Sequence, residues 1–86
     1  MTNFSEIWRR IDAHAGEEFR TITGRMFTYR VPGAYLRVIN RSLSRTNFER
    51  AAERMPVPRP SDLADRQGPS YTWAILMDDR IHDGAW

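Results

Sequence analysis

Lysine and cysteine are both absent from this 86-residue chain. Without cysteine there are no disulfides and no thiolate metal ligands, so nothing covalent staples the fold. No apolar run approaches the roughly 20 residues that a helix needs to cross a bilayer. Glu6, Arg9, Arg10 and Asp12 interrupt the apolar residues near the N-terminus, which argues against a secretory signal core. These absences predict a cytoplasmic protein with no membrane partner. No Gly-x-Ser-x-Gly, Walker or dinucleotide fingerprint occurs. The two histidines, His14 and His82, lie near opposite ends of the chain, and the serines fall at caps and turns, where local hydrogen bonding explains them. An enzyme is therefore not expected, and neither is a cofactor.

With lysine missing, all thirteen basic side chains are arginine. A GC-rich coding sequence would remove lysine everywhere, but it would not cluster the arginines. From Arg20 to Arg59, nine Arg stand against two acids, Glu49 and Glu53, a local charge of +7. Residues 1–19 carry two Arg and four acids (−2), and residues 60–86 two Arg and five acids (−3). The sum is the formal net charge of +2, so a near-neutral total hides a polarised chain. A guanidinium presents a planar fork of donors that binds phosphate or carboxylate bidentately, which an ammonium cannot do.

The length predicts one domain, residues 1–86, with a modest core. Residues 3–15 read as an amphipathic helix with Phe4, Ile7, Trp8 and Ile11 on one face, Thr2 or Asn3 as its cap and Gly16 as its stop. Residues 18–40 read as a three-stranded antiparallel meander, with strands near 18–22, 26–31 and 35–39. Thr23-Gly24-Arg25 is the first loop, and Val31-Pro32-Gly33-Ala34 has the composition of a type II turn. Pairing Val31 with Ala34 sets Tyr29 opposite Leu36 and Phe27 opposite Val38. Alternation then places Phe19, Phe27, Tyr29, Leu36 and Val38 on the core face, and Arg20, Met26, Thr28, Arg30, Tyr35 and Arg37 on the open face. Residues 45–55 read as a second helix capped by Ser44, burying Phe48, Ala51, Ala52 and Met55. Residues 56–69 hold all the prolines but Pro32 and form a connector with one helical turn near Ser61–Asp65. Residues 70–78 read as a buried helix containing Ile75, and His82–Trp86 as a loose tail. The fold class is α+β: a helix, a meander, then two helical segments packed on one sheet face.

Two clusters carry chemistry. Asp78, Asp79, His82 and Asp83 offer hard ligands for a divalent cation, but a solvated acidic helix end is the better reading and no metal site is expected. The second cluster is basic. Arg37, Arg41, Arg45, Arg50 and Arg54 run from the last strand into the second helix, interleaved with Asn40, Ser42, Ser44, Thr46 and Asn47. Arginine forks, small hydroxyls and amides are the groups that contact phosphates. Tyr35, beside Arg30 and Arg37 on the open face, is placed to stack on a base. The expected nucleic-acid site is thus Arg30, Tyr35, Arg37, Asn40, Arg41, Ser44, Arg45, Asn47, Arg50 and Arg54. The alternative is a protein-interaction module, such as an antitoxin, inhibitor or regulatory subunit, gripping an acidic partner surface. The apolar residues 71–81, or the open sheet edge, offer a homodimer surface.

Glu17-Glu18-Phe19, Gly24-x-x-Phe27-Thr28-Tyr29, Arg41-x-Leu43-Ser44-Arg45-x-x-Phe48-Glu49 and Gly68-Pro69-Ser70-Tyr71 with Ala74-Ile75-Leu76 resemble a family of short uncharacterised bacterial proteins. The resemblance implies a stand-alone α+β domain with Gly68-Pro69-Ser70-Tyr71 as a structural corner. It implies no activity.

Overall fold

A computed structural model describes residues 3–86. Helix α1, Phe4–Ala13, starts at Asn3, whose side-chain oxygen accepts the Glu6 N–H at 3.1 Å. This satisfies one of the donors that a helix start leaves open. Thr2, the other candidate cap, lies outside the described residues. Ile7 and Ile11 are buried, and Phe4 and Trp8 pack on the core from its edge. The chain leaves the helix through Gly16 (φ 90), whose N–H donates to the Tyr29 carbonyl at 2.9 Å. A residue with a Cβ is disfavoured at that angle.

The β layer is α+β in class but not the expected meander. Two two-stranded antiparallel ribbons form instead: β1 (Phe19–Arg20) with β2 (Met26–Phe27), and β3 (Tyr35–Val38) with β4 (Arg41–Ser44). Among the described residues, an isolated bridge, Arg30 opposite Arg37, ties the chain beyond β2 to β3. Strand β4 falls where a loop was expected, because Arg-Ser-Leu-Ser has none of the β-branched or aromatic residues that mark strands. Its turn, Ile39-Asn40, also lacks the usual glycine signal. Ile39 takes φ 53, a left-handed angle rare for a β-branched residue.

Both earlier hairpins differ in register from the sequence reading. Phe19 pairs with Phe27 and Arg20 with Met26, and Thr21 N–H donates to the Arg25 carbonyl, so the loop is Ile22-Thr23-Gly24. Gly24 does supply the expected positive φ, 88°. In the second hairpin Arg30 pairs with Arg37, two residues beyond the Tyr35 partner that pairing Val31 with Ala34 implies. The turn is wider than type II, and Gly33 is not among the positive-φ glycines that such a turn requires. Each shift equals two residues. Strand side chains repeat every two, so the face assignment survives. Phe19, Phe27, Tyr29, Leu36 and Val38 are buried, whereas Arg20, Met26, Thr28, Arg30, Tyr35 and Arg37 are exposed.

Helix α2, Arg45–Ala52, begins at Ser44, whose Oγ accepts the Asn47 N–H at 3.0 Å. It buries Phe48 and Ala51, with Phe48 wholly inside. The connector contains the 3₁₀ turn Pro60–Leu63, which buries Leu63. Helix α3, Pro69–Leu76, follows Gly68 and buries Thr72, Ala74, Ile75 and Leu76. The C-terminus is not loose: α4, Asp79–His82, buries Ile81, and Trp86 donates its indole N–H to the Leu76 carbonyl at 3.0 Å. Tyr29 sits inside this layer and donates its hydroxyl to the Ile11 carbonyl at 2.6 Å, with burial pushing its phenol well above the ordinary value.

Candidate nucleic-acid interface

The open sheet face is built by strand alternation. Arg30 and Arg37 exchange both backbone hydrogen bonds, at 3.0 and 2.8 Å, so their side chains leave the same face side by side. On the other flank Arg37 pairs with Ser42 and its guanidinium reaches the Ser42 hydroxyl at 3.5 Å, while Tyr35 pairs with Ser44. Tyr35 is 38 % exposed. Arg20 and Met26 oppose one another on the same side of the first ribbon. Among the described residues, Arg20, Arg25, Arg30, Arg37 and Arg41 take part in no ion pair. Arg20 and Arg25 fall outside the expected site. Alternation already placed Arg20 on the open face, whereas only the loop closure at Thr21–Arg25 positions Arg25.

The helical half of the expected site is differently disposed. Arg54 makes a bidentate pair with Asp65, both contacts at 2.6 Å, which holds the Asp65 carboxyl down at about 2 and raises Arg54. Arg50 lies 3.6 Å from Glu53. Arg45 stands over the rings of Phe4 and Trp8, 5.6 and 6.0 Å from their centroids, and donates to Ser5 Oγ at 3.3 Å. Ser44 is committed as the α2 cap. Asn47 is 4 % exposed and saturated: its carbonyl accepts the Gln67 N–H at 2.8 Å, and its amide donates to Gln67 O and Thr72 Oγ1, both at 3.1 Å. A buried amide with three good partners is a structural latch between α2 and α3. Asn40 stays exposed on the β3–β4 turn.

The acidic end is likewise engaged. Asp78 binds Arg80 through both oxygens at 2.9 Å, and Asp79 lies 3.1 Å from His82. Asp83 lies 3.7 Å from Arg10. No group of three or more metal-capable side chains converges among the described residues.

Among the described residues, a groove between α1, α2 and the C-terminal residues and a groove beside the β layer have opposite character. One, of about 550 Å³, is lined by Phe4, Met55 and Trp86 together with Glu49 and Glu53. The other, of about 400 Å³, lies between the β1–β2 loop and the start of α3, and its charged side chains are Arg25 and Arg41. Arg41 pairs with Val38 and so stands at the end of the core-facing side of its ribbon, not on the open face with Arg37.

No helix is long and apolar enough to cross a membrane among the described residues. Comparison with family models, curated proteins and solved structures finds no match to this chain.

Proposed function

We propose that this domain binds nucleic acid through the open sheet face, with Arg20, Arg30 and Arg37 contacting phosphates and Tyr35 stacking on a base. The observation that carries the reading is the Arg30–Arg37 pair. Two like charges directly opposite on a ladder destabilise it, and here neither has a carboxylate partner among the described residues. A polyanion crossing that face would neutralise both at once. An exposed aromatic ring on the same face as the paired guanidiniums, two residues along β3 from Arg37, suits unstacked bases, so single strands are the favoured form. Arg45, Arg50 and Arg54 contribute less than their sequence position suggests, since ring faces and acids already engage them. Asn40 remains a candidate at the rim, and Ser44 and Asn47 serve the fold.

Fluorescence anisotropy with labelled single-stranded and duplex oligonucleotides at several salt concentrations tests this. Three neutralised phosphates give a slope of log K against log salt of roughly −2.1 on single strands and −2.7 on duplex. Arg30→Ala and Arg37→Ala should each reduce the slope by about 0.7 on single strands, whereas Arg54→Ala should leave it unchanged. Tyr35→Ala should cost about 1–3 kcal/mol on single strands and less on duplex. No binding to either form at low salt overturns the reading.

A protein partner with an acidic surface is the second reading. What favours it is apolar: Met26 and Tyr35 are exposed among the arginines, at 46 % and 38 %. Such mixing of aromatic, Met and Arg side chains marks the centres of protein interfaces. A stoichiometric protein that stays bound after nuclease treatment would favour it. The apolar third segment offers less to a homodimer than its composition suggests, because Ala74, Ile75 and Leu76 are buried within the chain and Tyr71, Trp73 and Trp86 are partly buried against the core.

A further inference from the structure

We infer that the groove between the β1–β2 loop and the start of α3 is a binding site for a phosphate monoester group, separate from the open sheet face. The groove encloses about 400 Å³, within the range of small-molecule sites. Arg25 and Arg41 both line it, and it contains no acidic side chain. Neither arginine has a carboxylate partner or a side-chain hydrogen bond among the described residues. Two guanidiniums are brought to one concave surface, from the first hairpin loop and from β4, with no acid on its walls, and like charges gathered there attract an anion. A dianionic phosphate accepts forked hydrogen bonds from both, and the Ser70 hydroxyl on the same wall adds a neutral donor. A carboxylate offers one charge and two oxygens to this set, which favours phosphate over it.

The walls also say what the phosphate is attached to. Ile22 is 52 % exposed on the same groove as Arg25, and the half-buried Tyr71 ring packs T-shaped with Phe27, centroids 5.0 Å apart. An apolar residue and a ring, next to an anion site, accommodate a planar or hydrophobic group carrying the phosphate. Both a small phosphomonoester and the 5′-phosphate end of an oligonucleotide meet that description. The groove does not depend on the sheet-face reading, because Arg41 and Arg37 leave opposite sides of the β3–β4 ribbon.

The test is amide-resolved NMR titration of the full chain at constant ionic strength. Inorganic phosphate, thymidine 5′-monophosphate and thymidine are added separately. Phosphate and the monophosphate should shift the amide signals of Thr23, Arg25, Arg41 and Ser70, with the monophosphate at least 3-fold tighter, and thymidine should shift none. Arg25→Ala and Arg41→Ala should each weaken binding 5-fold or more, whereas Arg37→Ala should change it less than 2-fold. Both groove arginines are exposed, so these variants should keep the native circular dichroism spectrum. A matched oligonucleotide pair, 5′-phosphorylated and 5′-hydroxyl, then separates the sources. Preference for the phosphorylated strand that disappears in Arg25→Ala assigns the site to nucleic-acid ends; no preference, with the monophosphate still bound, assigns it to small phosphomonoesters. Absence of shifts with both phosphate and monophosphate overturns the inference, as do shifts spread equally over Arg30, Arg37 and Arg50. Loss of oligonucleotide binding in Arg37→Ala with monophosphate binding intact would bear on the sheet face alone.

Discussion

Arginine plays several roles in this molecule, and surroundings decide which. Arg80 lies 3.8 Å above the Phe19 ring, forks onto Asp78 and reaches Glu17 and the Glu18 carbonyl at 3.0 and 2.9 Å. Arg10 donates to the Ile81 and His82 carbonyls at the end of α4. Arg54 forks onto Asp65. Planar delocalised charge makes stacking and forked bonding available together, which lysine could not reproduce. The polar residue that matters most to the fold is uncharged. Asn47→Ala removes the three hydrogen bonds of a buried amide and takes its partner from the Gln67 N–H, while the Gln67 carbonyl keeps Thr72 Oγ1 at 2.8 Å. The expected cost is about 2–4 kcal/mol, read from the urea midpoint. Asn47→Asp should also destabilise, because the donor toward Gln67 O is lost and a charge is buried.

At the level of elements, two residues with positive φ should respond oppositely to substitution. Gly68 precedes α3 at φ 50, and a Cβ there would lie 2.9 Å from Leu43 Cδ2, inside the core. Gly68→Ala meets both the backbone penalty and the clash, and should cost about 2–3 kcal/mol. The Gly68-Pro69-Ser70-Tyr71 corner is thus explained by packing against β4. Ile39 has nearly the same angle, φ 53, but is 62 % exposed on the β3–β4 turn. Ile39→Gly loses little burial and relieves the strain, so stability should rise by about 1 kcal/mol, or roughly 4–8 °C in thermal midpoint. A fall in both variants would show that Ile39 is packed rather than strained.

Across the whole molecule, charge is separated: the sheet-side groove is basic and the α1–α2–Trp86 groove acidic. Arg80 ties the acidic C-terminal part to the segment leading into β1. Its partners should make the protein acid-sensitive. The His14 ring and Arg80 hold Glu17 below its ordinary 4.5, Arg80 holds Asp78 below 3.8, and Arg54 brings Asp65 to about 2. Carboxylates whose folded values are depressed stabilise the native state fully above the ordinary carboxylate range. They lose that contribution as pH falls through the folded values. The thermal midpoint should therefore be level down to about pH 5 and decline from there to about pH 2. Arg80→Met lets Glu17 and Asp78 titrate nearer their ordinary values. It should lower the midpoint at pH 7, and the gap from the parent should narrow toward pH 2. Parallel curves at all pH values would mean that Arg80 acts only by covering Phe19.

Alternation and helical periodicity are short-range properties, and they determined the face of almost every residue: Phe19, Phe27, Tyr29, Leu36, Val38, Phe48 and Ile75 are all buried. The caps at Asn3 and Ser44 were legible for the same reason, since a cap bonds only three residues onward. Strand register was not, because a shift of two leaves every side chain on its own face and so leaves no trace in the pattern. Strand β4 was hidden because its residues have no strand preference of their own and become a strand only when β3 offers a ladder. The candidate site divided on the same ground. Sequence placed Arg30, Tyr35 and Arg37 together on one open face. Only the folded chain decided that Arg54 meets Asp65, that Asn47 is sealed against Gln67, and that Arg25 and Arg41 share a groove. Partners eleven, sixteen or twenty residues apart are chosen by packing, which no local pattern encodes.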